Sequence, residues 1–181
     1  MSVDEPHSMT RARELRHAFD RTFAEPLRAD AVAQDDFLAI TIGSDPYALR
    51  LSEVGGLYPS RRTTGLPGAA SALRGLVGLR GALVPVYDLG ALLGYSQAAP
   101  PRWLVTIVDG KVTVAVGFEQ FDRHLRVARD TIAEAAPAGA AGRRTLVRES
   151  LHAEVVRPII HLPSVLEAIA AMARHAARPK E

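Results

Sequence analysis

A mainly β fold is predicted by three features of this chain. Phe37 to Leu51 and Trp103 to Phe118 each read as two alternating apolar runs around a polar turn, the period-two signature of half-buried strands. Between them, Leu66 to Leu89 (LPGAASALRGLVGLRGALVPVYDL) spaces Gly68, Gly75, Gly78 and Gly81 through apolar sequence and closes on Pro85 and Asp88. Glycines at such spacing mark the corners of short, bent strands. A helix at each end completes the expected architecture.

Residues 1 to 35 form a charged extension in which Ala12, Leu15, Phe19 and Phe23 recur at steps of three and four. That spacing predicts an amphipathic helix ended near Pro26. Its stripe either packs on the chain's own domain or docks a partner, and both readings stand. Arg11, Arg13 and Arg16 read as its solvated face, and Glu14 and Asp20 break the positive charge that a membrane surface would attract.

From Phe37 the period becomes two. Phe37 to Ile42 and Tyr47 to Leu51 form a hairpin about the turn Gly43-Ser44-Asp45-Pro46. In the glycine-spaced segment a proline-started turn leads to one helical turn over Ala69 to Leu73, a glycine-cornered strand, and a second strand from Ala82 to Tyr87. Ala98-Ala99-Pro100-Pro101 is a connector. In the next hairpin Asp109-Gly110 supplies the positive φ values of a type I′ turn. Val112, Val114, Val116 and Phe118 then share a buried face, with Lys111, Thr113 and Ala115 on the open one, as in a small barrel.

Beyond Phe121 the pattern shortens. Leu125 to Val127 is a strand candidate, Pro137 to Gly142 a flexible loop, and Val155 to Leu162 the last strand. Ser164 and Glu167 match a capping box that opens a terminal helix with the stripe Leu166, Ile169 and Ala173.

Composition narrows the function classes. The chain has 181 residues, 48% of them apolar, enough for one domain or two small lobes sharing a core. No run reaches the roughly 18 to 20 apolar residues of a membrane span, and Met1 to His7 is too polar for a secretory signal. A soluble, cytoplasmic protein without membrane insertion is expected. The absence of cysteine excludes disulfides, thiolate metal sites and thiol nucleophiles. Net charge is only +2, and Arg102, Arg123, Arg126 and Arg129 are interleaved with Asp109, Glu119, Asp122 and Asp130. A nucleic-acid footprint would gather those cations on one face, so no nucleic-acid partner is expected.

The residues of catalysis are also missing. None of the histidines, at 7, 17, 124, 152, 161 and 175, pairs with another at helical metal-ligand spacing. His161 reads as a hydrogen-bonded structural histidine. Gly75, Gly78 and Gly81 lack the lysine and the spacing of a phosphate loop. Asp35-Asp36 reads as an exposed strand lead-in. No enzyme, metal or cofactor is expected. What remains is a surface for proteins. Arg80, on a glycine-flanked corner, offers five donors to a carboxylate or to helix-end carbonyls. Asp88 is its candidate internal partner, so Arg80 is open to a docking or a bridging role. Arg74 reads as an ordinary exposed charge. Val54 and Leu57, beside Gly55-Gly56, form either an apolar groove lip or ordinary core.

The order L-P-G-A, Leu73-Arg74-Gly75, Leu79-Arg80-Gly81 and Val84-Pro85-Val86-Tyr87-Asp88-Leu89 resembles the CheW family, which couples chemoreceptors to a histidine kinase. The resemblance runs from about Phe37 to about Leu166. It implies two small five-stranded SH3-like barrels over a shared apolar core, hence a domain at 36–163 between the extension at 1–35 and a C-terminal helix at 164–181. It also implies a non-enzymatic chemotaxis adaptor. The tip of a chemoreceptor's cytoplasmic helical hairpin would enter the groove between the barrels, and the kinase's regulatory domain would meet the barrel surfaces.

Arg80 matches the family's LRG arginine, and Val54 an apolar position of receptor contact. The chain departs from the pattern at Gly56, where an acidic residue is common, at Gly78, where asparagine is common, and at His161, where aspartate is frequent. The implied partner surface is therefore Arg80, Val54 and Leu57 with Gly56, Gly78 and Arg74. The departures keep a second reading open: a divergent docking module that binds only the receptor or another regulator, without the usual kinase contact.

Overall fold

The computed structural model describes residues 33–67, 72–96, 100–110, 112–135 and 145–176. The helix expected before Pro26 and the loop expected over Pro137 to Gly142 lie outside them. So does most of the helical turn expected over Ala69 to Leu73, of which Leu73 itself opens a strand.

Alternation builds the first hairpin from β1 (Gln34–Ile42) and β2 (Asp45–Arg50). Ile42 pairs with Asp45, so the turn is Gly43-Ser44 alone, with Gly43 at φ 62°. Asp45 and Pro46 thus belong to the strand rather than to the turn, and Leu51 starts a 3₁₀ turn, Leu51–Glu53. β3 (Gly56–Pro59) follows, then a hairpin of β4 (Leu73–Leu79) and β5 (Ala82–Asp88), and the short helix α1 (Leu89–Leu93). The next hairpin is β6 (Trp103–Asp109) and β7 (Val112–Phe118). Here Asp109 pairs with Val112, so Asp109 ends a strand and the turn falls one residue later than expected, with Gly110 at φ 56°.

β8 (Gln120–Ala128) is far longer than the strand expected over Leu125 to Val127. β9 (Ile132–Glu134), β10 (Val147–His152), β11 (Val156–Ile160) and α2 (Leu162–Ala176) complete the chain.

The strands form two sheets, ordered β8-β1-β2-β11-β10-β9 and β3-β6-β7-β5-β4. The fold is mainly β and two-lobed, with six strands in the first lobe where five were expected. All pairings are antiparallel except β2 with β11 and β5 with β7. In the second lobe β3 and β4 are opposite edges, and the segment leaving β3 reaches across: Thr64 and Leu76 exchange backbone hydrogen bonds of 2.9 Å each. This approach demands glycine at 75. A Cβ there would lie 2.1 Å from the Thr64 carbonyl oxygen, and the backbone holds φ 138°.

Three apolar clusters divide the inward side chains. Phe37, Ala48, Leu151 and Ile159 fill the first lobe, and Val77, Val84, Val86, Leu104 and Ala115 the second. The largest cluster lies between them: Leu38, Ile40 and Leu49 meet Val105, Val116 and Phe118, with Leu162 and Val165 of α2 alongside. Successive residues of β1, β6 and β7 therefore point into two different cores. For that reason Ala115, expected on an open face, is fully buried, while Val112 at the hairpin tip is 58% exposed.

α2 starts two residues before Ser164. His161 caps it, its Nδ1 accepting from the Ser164 N–H at 3.3 Å and lying 2.8 Å from the Ser164 hydroxyl. Glu53 accepts from the Leu162 N–H at 2.9 Å. These acceptors satisfy amide donors that a helix start leaves open.

Candidate partner-docking site

The β4–β5 turn places Arg80. Leu79 pairs with Ala82, leaving Arg80-Gly81 as a two-residue loop with φ 49° and 81°. Positive φ at both positions is the type I′ signature, which suits the twist of a hairpin. Glycine meets it freely, and arginine does so against a steric penalty. Arg80 is exposed.

β3 supplies the surface beneath it. The Gly55 N–H donates to the Thr106 carbonyl at 2.8 Å, and β3 pairs with β6 from Gly56 onward. Gly56 and Tyr58 share one face of the strand, being two residues apart. The Tyr58 ring folds back over the bare Gly56 backbone. A Cβ at 56 would lie 2.8 Å from the phenol oxygen and 2.9 Å from the ring. The Arg80 guanidinium lies over that same ring, 5.6 Å from its centroid, within cation–π range. Among the described residues Arg80 makes no ion pair. Tyr58 and Arg80 line a shallow recess with Gly55, Leu79, Val84 and Val108.

The Asp88 partner expected for Arg80 belongs instead to Arg74. Arg74 Nε donates to Asp88 Oδ2 at 2.9 Å, and Nη2 donates to the same oxygen. Asp88 is 2% exposed, and its Oδ1 accepts from the Ala91 N–H at 2.9 Å, capping α1. Arg74 is thus a tie between β4 and α1 rather than an ordinary exposed charge. The hairpin explains the exchange: Leu73 pairs with Tyr87 at one end of β4, and Arg80 sits at the other.

Val54 and Leu57 are half-buried and pack against the shared core. Gly78 has nothing within 4 Å of its Cβ position, and its pair partner Leu83 stands 76% exposed. The structure therefore brings together Gly56 and Arg80, through Tyr58. Sequence reasoning missed Tyr58, and the available signal was a large aromatic two residues from a glycine on one short strand. A second recess, lined by Glu53, Asp109, Leu166 and Glu167 among others, lies between the 3₁₀ turn, the end of β6 and α2.

Among the described residues no group of three or more histidine, aspartate or glutamate side chains is placed to hold a metal. No helix among them is long and apolar enough to cross a membrane.

The described residues thus form two small β lobes over a shared core, with a cation displayed on a tight hairpin. The chain belongs to the CheW-like domain family, whose model matches residues 36–170. Among solved structures it is similar to the scaffolding protein TtCheW from Thermoanaerobacter tengcongensis, with 15% identity and a TM-score of 0.63. That match covers 71% of this chain and 89% of the other. No curated protein matches the chain.

Proposed function

We propose that this chain is a non-enzymatic cytoplasmic adaptor that couples chemoreceptors to a histidine kinase in a chemotaxis-like pathway. The CheW-like match over residues 36–170, which takes in both lobes, carries the reading. In this reading Arg80 is the central contact, with Gly56 joined to it through Tyr58, while Val54 and Leu57 pack against the shared core and Gly78 lies open on β4. Arg74, tied to Asp88 and 39% exposed at the far end of β4, contributes least.

One observation favours the narrower alternative. The acidic residue common at position 56 in the family is absent, and Tyr58 occupies the space its side chain would need. A docking module that keeps the receptor and lacks the kinase contact would tolerate that change. Co-sedimentation of the full chain with a chemoreceptor cytoplasmic hairpin and with the kinase regulatory domain separates the readings. Capture of both supports coupling, capture of the receptor alone supports the narrower module, and capture of neither rejects both. Arg80→Ala is expected to weaken receptor capture about fivefold or more, as loss of a central interface arginine commonly does.

A further inference from the structure

We propose that Tyr58 positions the Arg80 guanidinium as a preset receptor for a carboxylate side chain of a protein partner. The inference deepens the adaptor reading and rests on it for the location of the surface. Its physical basis is separate.

An arginine on an exposed turn ordinarily samples many rotamers, and a partner that fixes it bears that entropy on binding. Two constraints reduce the freedom here. The backbone is held in the type I′ turn at φ 49°, and the guanidinium lies over the Tyr58 ring. This cation–π contact holds the charge by the ring without an anion, and so leaves N–H donors of Arg80 for a planar acceptor. No carboxylate among the described residues takes them. Gly56 is what permits the arrangement, since any side chain there would collide with the Tyr58 phenol. The ring thus substitutes for an internal acidic partner, and the substitution changes the chemistry of the surface. An internal carboxylate would consume the donors of Arg80, whereas an aromatic ring orients them and keeps the positive charge available.

Two measurements on the full chain test this without receptor or kinase, so their failure is distinguishable from failure of the adaptor reading. In proton NMR the Arg80 δ-methylene resonances are expected upfield in the native chain and in Tyr58→Phe, and at ordinary positions in Tyr58→Leu. Unchanged Arg80 resonances in Tyr58→Leu would overturn the positioning role. Titration with poly-L-glutamate is expected to move the Arg80 Nε–H peak more than that of Arg74, whose donors are occupied. Apparent affinity should fall about two- to fivefold in Tyr58→Leu and persist in Tyr58→Phe. An Arg80 peak that does not respond would overturn the carboxylate assignment. Retention of the Arg74 peak position reports that each variant is folded.

Discussion

Arg80 combines a strained backbone with an exposed charge that no carboxylate among the described residues pairs. A non-glycine residue in the left-handed region costs roughly 1 to 2 kcal/mol, and glycine relieves this at some expense in unfolded-chain entropy. Arg80→Gly and Arg80→Ala both lose the contact with Tyr58, so the difference between them isolates the turn. Arg80→Gly is expected to be the more stable of the two by about 0.5 to 1 kcal/mol in urea unfolding. The opposite order would contradict the turn geometry. Arginine at such a position costs the fold stability, which fits the role proposed for its side chain at the docking surface.

At the scale of elements, the β1–β8 seam is held by charge. Asp35 accepts from Arg129 at 3.0 Å and from Arg50, which also reaches Glu149 at 2.7 Å. Asp36 receives both Arg126 and His124 at 2.9 Å. The hydrogen bond from Arg129 foremost, with the charges of Arg129 and Arg50, holds the Asp35 carboxyl below its ordinary 3.8 despite the opposing effect of burial. Arg126 does the same for Asp36. Because both folded values lie below the unfolded ones, their contribution is complete above pH 3.8. It declines as acid protonates the unfolded chain first and is lost through the folded values. Urea midpoints should therefore hold above pH 3.8 and drop as the pH falls below it, and Asp35→Asn should flatten that drop. An equal drop in the variant would place the acid sensitivity elsewhere.

The same elements show what sequence alone can carry. Hairpins with strict alternation and glycine-bearing turns were legible, because local sterics and one buried face dictate them. β9 and β10 were not, since Ile132–Glu134 is a three-residue edge strand and Val147–His152, beside it, mixes polar and apolar residues. Three cores rather than one defeat a single-face reading, which is why Ala115 misled. The Arg74–Asp88 pair was within reach: once Arg80-Gly81 is the two-residue turn, pairing outward from it brings position 74 to the end of β5. Tyr58 itself carried a signal, as an aromatic beside a glycine, but its contact with Arg80 was out of reach, because it joins strands that are not neighbours in the sheet.

For the whole molecule, the shared core implies that the lobes unfold together. Trp103, the only tryptophan, stands in the second lobe and packs edge-on against Phe121 of the first, 5.7 Å between ring centroids. Its fluorescence reports the junction, while far-UV circular dichroism reports both sheets. The two urea transitions are expected to coincide, and Phe118→Ala is expected to shift both by about 3 to 5 kcal/mol. Separated transitions would mean that the lobes are independent.

The path of the chain carries a further consequence, one of timing. β3 to β7 form the second lobe from uninterrupted sequence, whereas the first lobe is finished only when β11 lies beside β2, with Ile159 opposite Ala48. Contacts that close short loops form sooner than those that close long ones. In pulsed hydrogen exchange during refolding, amides of β4 to β7 should gain protection before those shared by β2 and β11. The lobe that displays Arg80 would then be assembled while the sheet carrying both ends of the described fold is still open.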